Sequence, residues 1–393
     1  MAKWWIGVAL AVVVAGQHNA ALAQYPEPVP CAPSSVGSGG VAGPLPPNMA
    51  PPGPGPDLAI SSDAPGAFSC DDYHHEFGCY FHAGCIMFQA GRPSGHTLVA
   101  FKDPGIGTDT GIRPTDPAIT NNAAVTFSSV VPAFEFGVSG GIGITMDEWA
   151  LEAYGYYIPL QGATKTSNNP GMLDLNFINP PMGFEGDSGL WLQADQVKIR
   201  ESFLLVNGEL NLRYDGGGII PLVGFRYLQV RERMSLFTDD DGLTFPDING
   251  NPNPVLQATY RINQRSQIYA GQVGLECQLP LCGCFVFGAS VKGAYGENHY
   301  EKTTSLFRGD GFPGFESHTS HEQFSQIYDA GLWLDYYCKE HCRLRVGYNL
   351  LWVVNIPVAK DQIDFDLNNE NGTVNKHGTL FFHGPQVEIQ FMF

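Results

Sequence analysis

The segment Cys70-Asp71-Asp72-Tyr73-His74-His75-Glu76-Phe77-Gly78-Cys79 continues to His82 and Cys85, and it concentrates side chains that ligate borderline and soft metals. Its cysteines lack the tight Cys-x2-Cys spacing of a zinc knuckle, and no Cys-x-x-Cys-His follows to hold a haem. In an exported chain a disulfide-stapled segment is the simpler expectation, with no metal and no cofactor. Gly137-Val138-Ser139-Gly140-Gly141 matches the Gly-x-Ser-x-Gly nucleophile pattern, which works only on a sharp strand-to-helix turn beside a histidine. Ser139 instead sits inside an alternating strand, so no catalytic residue is assigned and the chain is not expected to be an enzyme. Asp239-Asp240-Asp241 reads as a solvated loop, with divalent-cation binding as the second reading.

A different set of charges shares one strand face. Glu135, Glu152, Glu209, Arg213, Arg226, Lys292, Asp329, Asp335, Arg345 and Glu388 all fall on the polar parity of alternating segments. Acids and bases on the inside of a closed sheet would mainly neutralise one another, or would form a charged constriction that selects small polar solutes. The nine cysteines include Cys277 and Cys284 around one short turn and Cys338 and Cys342 around another. Hairpin ends suit a disulfide, so cross-turn staples are expected there, with Cys282 as an alternative to Cys284. A zinc site built from both turns with His341 is the competing arrangement.

The elements that must position these residues are strands. Arg343 to Val358 is the clearest, with Leu344, Val346, Tyr348, Leu350, Trp352, Val354 and Ile356 opposed to Arg343, Arg345, Gly347, Asn349 and Asn355. The last strand, Phe381 to Phe393, places Phe393, Phe391, Ile389 and Val387 opposite Met392, Gln390, Glu388 and Gln386. Similar alternation runs through 83–91, 134–145, 148–160, 201–214, 219–234, 284–300 and 320–337. In 257–278 Tyr269, Val273 and Leu275 keep one parity while Tyr260 and Ile262 carry the other, which a β-bulge would explain. Connections alternate strictly: 92–133 long, 146–147 short, 161–200 long, 215–218 short, 235–256 long, 279–283 short, 305–319 long, 339–342 short and 359–378 long. That alternation belongs to an up-and-down membrane barrel with tight inner turns and longer surface loops. The fold class is therefore all-β, a transmembrane antiparallel barrel of ten strands, or twelve if Thr97–Phe101 starts another hairpin. The loop around 163–200 is a candidate for folding inward.

Composition and the N-terminus set the compartment. Lys3, the apolar run Trp4 to Ala15 and Ala21-Leu22-Ala23 have the order of a secretory signal peptide over residues 1–23. Residues 24–68 carry eleven prolines between Pro26 and Pro56, a linker expected to be extended or disordered in the periplasm, where it could meet a periplasmic or cell-wall partner. Residues 69–82 form the Cys/His-rich periplasmic segment and 83–393 the barrel. The net charge of −18 disfavours nucleic acid. With 47 Gly, 16 Tyr, 25 Phe and only 15% charged residues against a globular norm of about 25%, the chain suits a barrel wall in lipid.

Gly208-Glu209-Leu210-Asn211-Leu212-Arg213, Gly224-Phe225-Arg226-Tyr227-Leu228 with Glu232, and Tyr269-Ala270-Gly271-Gln272-Val273-Gly274-Leu275 resemble the porin-like β-barrel family abundant in planctomycete-type bacteria, over roughly residues 130–393. The resemblance implies an outer-membrane barrel named for its architecture, with Phe393 as the terminal residue that the barrel assembly machinery reads. The expected function is a passive channel for small polar solutes. Its alternatives are a non-conducting structural or surface-display barrel and, more distantly, a surface hydrolase using His299, His318, His321, His377 or His383.

Overall fold

The computed structural model describes residues 77–91, 98–102, 123–130, 132–175, 177–184, 190–215, 217–240, 245–282, 284–339, 341–368 and 375–393. The expected signal peptide, the proline-rich linker and Cys70 to Glu76 lie outside the described residues.

Among the described residues twelve strands form: β1 (Phe77–Ala90), β2 (Leu98–Lys102), β3 (Ala123–Thr126), β4 (Glu135–Met146), β5 (Trp149–Leu175), β6 (Ala194–Tyr214), β7 (Ile219–Asp239), β8 (Gln257–Cys282), β9 (Phe285–Arg308), β10 (Pro313–Lys339), β11 (Cys342–Ile356) and β12 (Gly378–Met392). Ten of them close a ring in the order β1, β4, β5 and on to β12, every neighbour antiparallel. The ring shuts between β12 and β1, where Phe393 N–H donates to Cys79 O at 2.8 Å and Cys79 N–H returns the bond to Phe393 O at 3.1 Å. Closure removes the free edges, the condition for a sheet to cross lipid. The additional hairpin does exist as β2–β3, but it joins the far end of β5 through Ala100↔Leu175 and stays outside the ring.

The outer wall carries the membrane signature. Two aromatic belts ring it: Trp149 with Tyr214 and Phe285 with Tyr336 near the short turns, then Tyr227 with Tyr269, Tyr295 with Tyr328 and Trp352 with Phe381 higher up. Val273, Leu275, Val291, Leu332 and Val346 are exposed between them. Phe285 and Tyr295 are ten residues apart on one strand. At ~3.3 Å per residue and ~40° tilt that spans about 25 Å, the height of a lipid-facing band. The membrane-spanning segments run from the short turns to this upper belt.

The strands then continue. β5 and β10 reach 27 residues, against the roughly 9–11 that a tilted crossing needs. Beyond the upper belt β7, β8 and β9 rise by about another 30 Å. Here the pattern along a single strand inverts. In β8 Tyr269, Val273 and Leu275 face outward below the belt, whereas above it Ala258, Tyr260 and Ile262 are buried inside and Arg261 and Arg265 face water. The expected bulge is not the cause, because β8 keeps continuous register with β7 from Gln257 to Cys277 and with β9 until Pro280. The parity is unbroken and the solvent changes: lipid outside a polar interior gives way to water outside an apolar core.

This lengthening also corrects the connections. The expected long loop 305–319 is a tight turn at 309–312 between β9 and β10, and most of 161–200 is strand. β1 starts at Phe77, so Cys79, His82 and Cys85 belong to the barrel wall and not to a periplasmic segment, and the barrel begins before residue 83. Cys79, Cys85, Cys277, Cys284, Cys338 and Cys342 are unbonded thiols. The expected Cys277–Cys284 staple fails on register: Cys277 pairs with Ala289, five residues up the strand from Cys284, or ~17 Å against the ~7 Å limit for a disulfide. Cys338 and Cys342 do stand side by side, since Cys342 pairs with Lys339 and Arg343 with Tyr337.

Candidate functional site

Strand parity turns every member of the expected charge set inward, and the register decides which of them meet. Glu209 and Arg226 are cross-strand partners on β6 and β7, Lys292 and Asp329 are partners on β9 and β10, and the two pairs meet through their side chains inside the barrel. Lys292 Nζ donates to Glu209 at 3.1 Å, while Arg226 reaches Asp329 at 3.3 Å, Glu209 at 3.6 Å and Asn207 at 2.8 Å. Asn207, Asn211 and Gln272 donate to the remaining lone pairs of Glu209. Nearer the short turns Arg213 bridges Glu152 at 3.1 Å and Glu276 at 2.5 Å, and Tyr80 donates to Glu152 at 2.6 Å. On the opposite wall Asp335, fully buried, takes two bonds from Arg345 at 2.8 and 2.9 Å and one from Arg343 at 3.1 Å. Arg345 also lies over the Trp333 ring at 4.5 Å. Glu388 accepts from Ser139 at 2.8 Å and faces His82 at 3.4 Å. Glu135 stands apart, higher on β4 opposite Phe88.

The expected charge set lacked Glu276, Arg343 and His82, although parity had already put Arg343 on the polar face of its strand. Glu276 shares the face of Gln272 and Gly274, and Arg343 that of Arg345, whereas His82 falls in a stretch not read as strand. With them, six carboxylates (Glu152, Glu209, Glu276, Asp329, Asp335 and Glu388) meet five permanent cations (Arg213, Arg226, Lys292, Arg343 and Arg345) and one histidine. The chamber they surround has a volume of about 90 Å³, room for a few waters.

The Gly-x-Ser-x-Gly sequence also lies here. Ser139 spends its proton on Glu388, and Glu388 stands between the serine and His82. A nucleophile would need the histidine in that position. The glycines serve the packing: a side chain at Gly141 or Gly143 would overlap the rings of His82 and Tyr80, and the space lets His82 stack on Tyr154 at 5.5 Å.

Above the chamber the interior becomes apolar. Ile86, Phe88, Ile158, Leu205, Leu228, Val230, Ile268, Ala294, Ile327, Leu351, Val353 and Phe382 project inward from nine of the ten ring strands, each 3% exposed or less. Ile86 and Phe88 form the roof of the chamber, and above them the barrel is filled at this level. Ile356, the last residue of β11, and Val358 in the segment that follows add to the layer.

That segment, 357–367, enters the barrel above the apolar layer. Ala359 N–H donates to Glu232 at 2.8 Å, and Gln264 bonds both Glu232 and the Pro357 carbonyl, the latter at 3.0 Å. Burial, with Glu201 nearby, pushes Glu232 up to about 8, and burial pushes Glu201 up to about 7. Both acids sit above the upper aromatic belt. The expected inward fold near 163–200 is realised by 177–184 and 190–193. Ile178 N–H bonds Phe365 O at 2.8 Å and Leu367 N–H bonds Ile178 O at 3.0 Å, which zips the two segments together. Phe177, Trp191, Tyr260, Phe365 and Leu367 then pack with β2 and β3 into a second apolar core that caps the barrel.

Of the upper histidines, His299 and His383 are wall residues and His377 just precedes β12. His299 faces outward between Glu301 at 3.6 Å and Glu322 at 3.7 Å, His383 bonds Tyr348 at 2.6 Å, and His377 bonds Asn355 at 2.7 Å. No serine–histidine pair occurs among the described residues.

No family model and no curated protein matches the sequence. Among solved structures, the outer membrane protease OmpT from Escherichia coli is similar over 82% of this chain and 98% of its own, at 11% identity and a TM-score of 0.40. The toluene transporter TodX of Pseudomonas putida covers 80% and 89% at 9% identity and 0.28, and the translocator domain of the autotransporter NalP from Neisseria meningitidis 80% and 88% at 11% and 0.32. These are likenesses of barrel architecture, and the function has to be argued from this chain's own interior.

Proposed function

We propose that the chain is an outer-membrane barrel closed at rest: a membrane anchor and stalk that carries a packed head at the cell surface. The observation that carries this reading is the mid-barrel apolar layer, inward side chains from nine strands at 3% exposure or less, with 357–367 seated above it. An ion crossing such a layer would exchange water for a packed and mostly apolar interior, at a cost of several kcal/mol. The charge network beneath supports the same conclusion, because its acids and bases neutralise one another and bind no solute strongly. A passive pore for small polar solutes, the sequence expectation, would require 357–367 to leave and the layer to open. The lower chamber alone ends blind. We assign the protein no catalytic step, and Phe393 the role of assembly signal at the closing strand.

Planar-bilayer recording of the refolded protein tests this. Wild type is expected to be electrically silent. A variant with 357–367 replaced by a short Gly/Ser linker, together with Phe88→Ala and Phe382→Ala, is expected to show discrete steps. Regular steps from folded wild type would return the protein to the pores.

A further inference from the structure

Six of the chain's 21 basic residues stand together on the outer wall above the upper aromatic belt: Lys198, Arg200, Arg231, Arg233, Arg261 and Arg265. Register sets five of them in rows across β6, β7 and β8, with Lys198 one two-residue step beyond Arg200: Arg200–Ser235–Arg261, then Ser202–Arg233–Asn263, then Leu204–Arg231–Arg265. Two-residue steps and adjacent strands make this a patch of roughly 14 by 10 Å. No carboxylate lies within the rows. The nearest, Glu301, is across from Arg265 on β9 and pairs with His299 at 3.6 Å. Among the described residues none of the six makes an ion pair; Arg265 donates to Gln229 at 3.0 Å, and Arg261 lies over the Phe307 ring at 4.9 Å. Arg231 and Arg265 are direct cross-strand partners, an arrangement that costs stability when nothing neutralises it.

Such a patch on a chain of net charge −18 calls for anions from outside, and its height says which. Arg231 and Arg265 lie four residues above the Tyr227–Tyr269 pair, or ~10 Å above the belt at ~40° tilt, with side chains long enough to reach down to the headgroups. We infer that this face binds the phosphate-bearing headgroup of an outer-leaflet glycolipid, the guanidinium forks taking phosphate oxygens in pairs. The inference rests on the barrel standing in a membrane and is independent of whether it conducts.

The test uses the mature full-length chain refolded in neutral detergent and titrated with bis-phosphorylated lipid A, read by native mass spectrometry. Wild type is expected to retain the lipid, with affinity that falls as NaCl is raised. R231Q/R233Q/R261Q/R265Q is expected to bind at least ~10-fold more weakly, and E297Q/E301Q/E322Q to bind as wild type. A quadruple variant that binds like wild type overturns the inference. So does displacement by equimolar inorganic phosphate, which would mean a site for the free anion. A salt-sensitive dimer that the lipid leaves intact would make the face an interface between copies, and equally overturns it. Should the quadruple variant not fold, R265Q alone decides: relieved of like-charge opposition, it is expected to resist heating better than wild type in lipid-free detergent and to lose that advantage when lipid A is added. Equal protection of both proteins by the lipid refutes the assignment.

Discussion

Arg226 shows what the interior charges do. It is fully buried, and its guanidinium joins Asn207, Asp329 and Glu209. Removing it takes from Asp329 the cation it is bonded to and leaves Glu209 with Lys292 as its one remaining cation. Arg226→Gln is expected to cost about 3–5 kcal/mol, the range for breaking a buried pair from one side. Urea unfolding in detergent, followed by tryptophan fluorescence, measures it. Arg226→Gln with Asp329→Asn should cost less than the two single losses summed, because the second change removes a charge that the first left unpaired. Parity alone found both partners of this pair. It failed for His82, which precedes the first segment read as strand, and for Glu276, on the strand whose parity looked confused.

At the scale of elements the informative failure is β8. An apparent change of phase at Tyr260 and Ile262 reads as a bulge if the surroundings are assumed constant, yet the ladder is regular and the surroundings change. The plug was legible in part: Ile363, Phe365 and Leu367 alternate with Asp364 and Asp366 in what reads as a surface loop, a pattern that asks for a partner face. Which partner could not be read, since Ile178 lies far away in the chain. The plug's anchor also has a pH dependence. Glu232 and Glu201 are raised to about 8 and about 7, so both are protonated in the folded protein at pH 6 and ionise as pH rises through those values. A group whose folded pKa is raised favours the packed form at low pH and loses that preference as it ionises. Amide exchange in 357–367 is therefore expected to speed up between pH 6 and 9 beyond the intrinsic base-catalysed rise, and Glu232→Gln to abolish the excess. A plug equally protected in both proteins at every pH would sink this account.

For the whole molecule, alternating connections and a closing aromatic were enough to read a ten-stranded ring, because closure and solvent leave few other arrangements for a secreted chain of alternating strands. The height above the membrane was hidden, since water-exposed strand and surface loop have similar polar compositions. Orientation is testable through the cysteines. Cys338 and Cys342 lie at the short-turn end, while Cys85 faces outward within the apolar band. In intact cells, after reduction, a membrane-impermeant maleimide is expected to modify none of these three. Opening the envelope should expose Cys338 and Cys342 and leave Cys85 protected by lipid. Labelling of Cys338 in intact cells would invert the topology.

The reversal of amphipathicity along β7, β8 and β9 has a mechanical consequence. Sinking by one two-residue step, ~5 Å vertically, would bring Arg231 and Arg265 toward hydrocarbon, and rising by as much would lift the apolar wall around Val273 and Val291 toward water. Each buried cation costs up to ~2–4 kcal/mol near the midplane and less toward the edge. The barrel therefore rides at a set depth, with the waterline written into each strand as the residue where its faces exchange roles. Whatever meets the head from outside meets it at a constant altitude, and a bilayer of the wrong thickness must bend to the protein.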